Sequence, residues 1–323
     1  MSAASPPQPL MDELPLGFYM TPERSVLARA PLGLTAYLDG QDGWAHGGAQ
    51  RVLRKFISRV GASTLKFLST SVMQHWQSVD DSVLADTLES FEQRGILHGM
   101  RHLFWMRLAN DPGAPGLGFT YHEVDPRRSR RAGILELTLY EVHEPELLRA
   151  LAMDVLEAGP VYSLVGGFAF RYDQHDKVVA FEQIYRWAAR HVGIDLQVPE
   201  DMSWRAPQVV PGVSWLTYVG PSLASHAGID LGAVAAPPFT HDVRTDAVAG
   251  GVLFQAGERP LQGDLNRFRW PFAYAEVARR LGPWFPSPPP DLWGPFYREQ
   301  HTELWFRRLL EPDGWAEAST RAP

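Results

Sequence analysis

Pro211-Gly-Val-Ser-Trp-Leu-Thr-Tyr-Val-Gly-Pro221 decides how this chain is read. Its β-branched and aromatic run, Val213–Val219, is bounded on both sides by Gly and Pro, which marks a buried strand. Downstream, Ser222–Ala235 carries a short helix, Gly250–Gln255 a second strand, and Trp270–Leu281 a helix packing through Ala273, Val277 and Leu281. The same kind of unit stands upstream. Ile134–Val142 alternates, with Leu135, Leu137 and Leu139 on one face and Glu136, Thr138 and Tyr140 on the other. Glu144–Ala158 then shows a helical stripe (Leu147, Leu148, Leu151, Ala152, Val155, Leu156) ended by Gly159-Pro160. Val161–Tyr172 reads as a buried strand. Phe181, Ile184, Tyr185, Ala188 and Val192 mark a helix closed by Gly193. Gly166-Gly-Phe-Ala-Phe170 and Gly250-Gly-Val-Leu-Phe254 occupy comparable places in the two stretches. The reading is α+β: a mixed or antiparallel sheet with helices packed mainly on one face, arranged as two tandem strand–helix–strand halves or as one body.

Toward the N-terminus, Val26–Leu38 is extended, and Val52, Phe56 and Val60 place a helix over Arg51–Val60. Leu84, Leu88 and Phe91 predict a second helix, capped by Asp80, Asp81 or Ser82 and stopped at Gly95. Arg101–Leu108 and Gly118–Val124 form a strand pair around the turn signal Asn110-Asp-Pro-Gly113. After the stiff Trp284-Phe-Pro-Ser-Pro-Pro-Pro290, one last helix runs over Tyr297–Leu310. The domain reading is a loose leader 1–14, one α+β domain 15–310 with halves at 15–200 and 201–310, and a loose tail 311–323.

Composition narrows the function classes. The chain has 323 residues, 45% hydrophobic, enough for a sizeable core. A net charge of −7 argues against broad phosphate binding, so no nucleic-acid partner is expected. With no cysteine, disulfides, thiolate nucleophiles and Cys-based zinc sites are excluded. No apolar run reaches the ~20 residues of a membrane span, so no membrane partner is expected. Met1–Leu10 has neither a basic nor an apolar signal region, which leads us to expect a cytoplasmic location.

Catalytic chemistry is hard to find. His98 and His102 lie ~13 Å apart if their segment is a strand, and no carboxylate completes a metal site. Gly113-Ala-Pro-Gly-Leu-Gly118 looks like a phosphate loop, but a strand follows it where a helix is required. Gly263-Asp264 reads as a turn with an Asx hydrogen bond. No Gly-x-Ser-x-Gly elbow occurs, and the paired acids sit at helix starts, where they complement the helix dipole. Trp204, Trp215, Trp270 and Trp284 read as core fillers. Asp125-Pro-Arg-Arg-Ser-Arg-Arg131 reads as an exposed hairpin tip, either solvated or facing an acidic partner. No cofactor, metal or catalytic residue is assigned.

Function enters through a resemblance. Ser203-Trp204, Gly212-Val-Ser-Trp-Leu-Thr217, Arg259-Pro260 with Gly263-Asp264-Leu-Asn266, and Tyr274-Ala-Glu-Val-Ala-Arg-Arg-Leu281 together resemble the TsiV family of type VI secretion immunity proteins. Tyr162-Ser, Gly166–Phe170 and His191-Val-Gly-Ile-Asp195 extend the likeness, which covers roughly residues 130–285. The resemblance implies a non-enzymatic immunity protein that binds a cognate toxin and occludes its active site. On that reading Trp204, Gly212, Trp215, Pro260, Gly263, Asp264 and Tyr274 are scaffold positions. The toxin is expected to be a nuclease or another effector acting in the cytoplasm, and a nuclease tends to be basic. Asp80, Asp81, Asp86, Glu89 and Glu92 are then the contact candidates. Arg127, Arg128, Arg130 and Arg131 serve instead against an acidic toxin. The alternatives are an enzyme modifying a small molecule in a pocket between sheet and helices, and a non-catalytic component of a secretion cluster. A homo-oligomer is compatible with each.

Overall fold

The computed structural model describes residues 18–20, 26–40, 44–71, 75–93, 104–123, 131–140, 143–298 and 300–321. In chain order the first half contains β1 (Phe18–Met20), β2 (Val26–Arg29), β3 (Leu32–Leu38), α1 (Ala49–Val60), β4 (Phe67–Thr70), β5 (Gln77–Ser78) and α2 (Asp81–Gln93). Next come β6 (Trp105–Ala109), β7 (Gly118–His122), β8 (Gly133–Leu139), α3 (Pro145–Ala158), β9 (Val161–Phe168), β10 (Arg171–Tyr172) and α4 (Lys177–Ala188). The second half contains α5 (Pro199–Met202), β11 (Leu216–Val219), α6 (Pro221–Ala227), α7 (Leu231–Ala235), β12 (Val243–Val248) and β13 (Gly251–Ala256). It finishes with α8 (Phe272–Leu281), α9 (Pro295–Arg298), α10 (Thr302–Arg307) and α11 (Pro312–Arg321).

Ten strands form one sheet in the order β12-β13-β11-β9-β3-β8-β7-β6-β4-β5, every neighbour antiparallel. A second sheet, β1-β2-β10, stands apart. The α+β class therefore holds. The two stretches that resemble one another in sequence are hydrogen-bonded into a single surface where β9 meets β11.

Register sorts the strand residues into two faces. Leu34 pairs with Leu137 and Gly166, and Leu137 with Phe119, so these share a face with Leu135, Leu139 and Met106. On this apolar face lie α1 and α3. Phe56 of α1 meets Phe119 with ring centroids 6.3 Å apart. From α3, the buried Leu148, Leu151, Ala152 and Val155 face inward. Each large side chain so buried contributes about 1.5–3 kcal/mol. The two helices are also tied by charge: Asp154 of α3 accepts from Lys55 at 2.7 Å and Arg59 at 2.8 Å of α1. Helices lie on the other side as well. α7 and α8 pack on β13, and Val165, Thr217 and Phe254 on that opposite face are buried.

Several elements differ from the sequence reading, each for a local reason. Ser222–Ala235 is two helices, because Gly228 adopts φ +68° and Asp230 caps α7 by accepting from the Ala233 N–H at 3.0 Å. The last expected helix, Tyr297–Leu310, is divided into α9 and α10, broken at Gln300 (φ +55°). Residues 312–321, read as tail, are helical, with the Trp315 indole buried and donating to the Ala188 carbonyl at 3.1 Å. The edge strand β12 was not read at all. His98, His102, Gly95 and the leader 1–14 lie outside the described residues.

Candidate partner-binding surface

Strand alternation that points leucines to one side points polar residues to the other. Arg107 of β6, Thr120 and His122 of β7, and Glu136 and Thr138 of β8 form the floor of a cleft. Its walls come from Phe170–His175, Lys177, Gln197–Asp201, Trp76 and Trp293.

The two arginines of the cleft are paired with its glutamates. Arg107 donates to Glu200 at 3.3 Å across the opening and lies 5.4 Å over the Trp105 ring. Arg171 donates to Thr138 Oγ1 at 3.2 Å and sits 3.5 Å from Glu136. A Cβ on Gly33 would come within 2.8 Å of that guanidinium, so the bare backbone there makes room for it. Beneath, Tyr37 donates to Gln197 at 2.9 Å, and Gln197 donates to Asp195 at 2.8 Å. Burial pushes the Asp195 carboxyl up. Burial also lowers Arg308 to about 10, although its guanidinium donates to the Val192 carbonyl at 2.8 Å. His122 is driven down to about 3, first by burial and then by the Arg107 and Arg131 charges, so it is neutral near pH 7.

Apolar side chains project at both ends of α4. At its start, Val178 (50% exposed) and Val179 stand near Trp293 and Tyr297 (65% exposed), with the Lys177 ammonium 3.7 Å from the centre of the Trp293 ring. Trp293 and Lys177 also line the cleft mouth. Just beyond the far end, Arg190 donates to Asp264 at 2.8 Å, and Asp264 accepts from Asn266 N–H at 3.0 Å. That fixed turn carries Phe268, 94% exposed and held at φ +55°. Leu261 and Phe272 are exposed beside it in sequence, and Phe272 is stacked on His241 at 5.3 Å. The 12 residues of α4 separate the two groups by ~18 Å at 1.5 Å per residue.

The scaffold positions divide. Trp215 is buried and donates to the Gly257 carbonyl at 2.9 Å, Pro260 is buried, and Tyr274 accepts from the Leu261 N–H at 2.8 Å. Gly263 takes φ +69°, where a Cβ would meet the Gly193 nitrogen at 2.9 Å. Gly212 is half-buried before β11. Trp204 departs from the core reading: it is 61% exposed, with Arg131 stacked 5.7 Å from its ring centre. Trp270 and Trp284 are half-buried.

Among the charged contact candidates, Asp80 caps α2, its carboxylate accepting from Val83 N–H at 2.9 Å, which lowers its pKa. Asp86 and Glu89 are exposed on α2, and Asp81 and Glu92 belong to the same helix. Arg127, Arg128 and Arg130 lie outside the described residues. The structure does not bring α2 and Arg131 together: α2 packs on α1, whereas the Arg131 charge acts on His122 of the cleft floor. Among the described residues no group of three or more His, Asp or Glu side chains is placed to hold a metal, and no helix is long and apolar enough to cross a membrane.

By fold and site this is an α+β protein built on a ten-stranded antiparallel sheet, with a charged cleft and exposed apolar side chains around α4. Its sequence matches the TsiV family, described as type VI immunity for VRR-NUC, over residues 50–309. The chain belongs to that family and is a type VI immunity protein. A solved T6SS protein of Pseudomonas aeruginosa shares the fold, with a TM-score of 0.72 and 16% identity, covering 93% of this chain and 90% of the other. No curated protein matches the sequence.

Proposed function

We propose that this protein neutralises a nuclease effector by binding it through the α4 surface and covering its active site, with no reaction of its own. The family's description supports a nuclease as the partner. A nuclease acts on nucleic acid, so protection takes place in the cytoplasm. Phe268 carries the reading. A β-carbon-bearing residue in the left-handed region costs roughly 1 kcal/mol relative to glycine, and here that residue is an almost fully exposed phenyl ring. Exposed aromatic residues on a rigid support are the usual anchors of tight interfaces, and ~18 Å between the two groups fits within one interface of about 800 Å² per partner. The cleft suits contact rather than turnover. His122 on its floor titrates far from neutral pH and faces guanidinium groups, and Arg107 and Arg171 are already paired with Glu200 and Glu136.

Co-expression with the neighbouring toxin, followed by affinity measurement, tests the proposal. Phe268→Gly keeps or raises the unfolding midpoint while weakening toxin binding by about 30-fold, the size of a hot-spot loss. Tyr297→Ala acts in the same direction. Unchanged affinity in both variants would exclude this surface. In that case Asp86→Lys with Glu89→Lys, by slowing association and flattening its salt dependence, would place the contact on α2.

A further inference from the structure

The two edges of the large sheet are not alike. At one end β5 is only two residues long; at the other β12 offers six, Val243-Arg-Thr-Asp-Ala-Val248, paired to β13 on one side and to no strand on the other among the described residues. Proteins ordinarily blunt such an edge with proline, a bulge or charge; β12 has neither proline nor bulge, and its two charges, Arg244 and Asp246, are of opposite sign. We propose that β12 pairs antiparallel with β12 of a second copy, joining two sheets across a two-fold axis.

Backbone direction and charge both select this pairing. The Asp242 carbonyl accepts from Gly257 N–H at 2.7 Å, so even-numbered residues turn their backbone groups toward β13. Odd-numbered residues, Val243, Thr245 and Ala247, turn theirs outward. Pairing centred on Thr245 lets the two Thr245 residues exchange hydrogen bonds, while each Ala247 N–H reaches a Val243 carbonyl of the other copy. In this register Arg244 lies opposite Asp246, and by symmetry Asp246 opposite Arg244. Slipping the register to put Val243 opposite Thr245 sets Arg244 against Arg244. Slipping it the other way sets Asp246 against Asp246. Like charges directly opposite are destabilising, so the register centred on Thr245 is the one the strand favours. Both side chains reach the surface and already have a partner within the chain: Arg244, 63% exposed, lies 3.8 Å from Asp242, and Asp246, 48% exposed, accepts from Arg149 at 2.8 Å, so the cross-strand contact extends these ion pairs. Beside the edge, Leu231, Gly232, Ala235, Ala247 and Val252 line a shallow apolar hollow. Val243 of the second copy, opposite Ala247, falls against it.

Because the chain has no cysteine, a single introduced thiol gives a clean readout. In the full-length protein Thr245→Cys places two thiols across the axis with Cα atoms about 5.5 Å apart, within disulfide range. Mild oxidation then yields a covalent dimer, whereas Arg244→Cys, which faces position 246, does not self-link. By analytical ultracentrifugation, Arg244→Asp weakens dimerisation by about tenfold, and adding Asp246→Arg restores it. A chain that stays monomeric at every concentration overturns the proposal. So does a dimer in which Thr245→Cys fails to link, or an edge that pairs only with the toxin in a one-to-one complex.

Discussion

The two faces of β6–β8 are made by the same residues in alternation, yet they have opposite fates. Met106, Leu108, Phe119, Leu135 and Leu137 are sealed under α1 and α3, while one position along Arg107, Thr120, His122, Glu136 and Thr138 floor an open cleft. Stability resides on the first face, and the second is free to carry charge because the first has already secured the fold. Three measurements test that division. The largest effect comes from Phe119→Ala, which empties the space beside Phe56 and lowers unfolding free energy by about 3–5 kcal/mol in urea titration. Next is the half-buried histidine of the cleft face. His122 titrates at about 3 when folded and near 6.5 when unfolded, so as pH falls below 6.5 the unfolded chain takes up a proton that the folded one refuses. Stability is full above pH 6.5 and is lost as pH falls toward 3. His122→Gln removes about 1.6 kcal/mol of the loss seen between pH 6.5 and 5. Smallest is the Arg107–Glu200 bridge, whose partners are 29% and 63% exposed; a double-mutant cycle gives under about 1 kcal/mol. A value near that of Phe119→Ala would erase the distinction between the faces.

The same alternation explains what could be read in advance. Leu135, Leu137 and Leu139 announced β8 and its core face, and the stripe of α3 announced the helix that covers it, because long amphipathic elements carry their burial pattern in their own residues. β12 was invisible: half-paired at an edge, Arg244, Thr245 and Asp246 have no apolar period to display. The cleft was equally hidden, since Arg107, Glu136, Arg171, Glu200 and Trp293 converge from five separate segments. The polar members of alternating strands, Thr120, His122 and Glu136, were its only local sign. Trp204 misled for a related reason. An indole can satisfy its apolar surface under a guanidinium as well as in a core, and sequence spacing does not tell these apart. The TsiV resemblance rested on positions such as Asp264 and Tyr274, whose hydrogen bonds hold a turn and a loop. That is why it named the family without naming the contact surface.

The wiring of the sheet has a temporal consequence. β3, near the start of the chain, waits for β8 and β9, which are made about 100 and about 130 residues later, and β13 joins later still. At roughly 5–20 residues per second of translation, the central ladder cannot close for several seconds after its first strand leaves the ribosome. Such non-local pairing also folds slowly. The completed sheet therefore trails its first strand by that interval, and this immunity protein takes its shape only after most of its chain has been made.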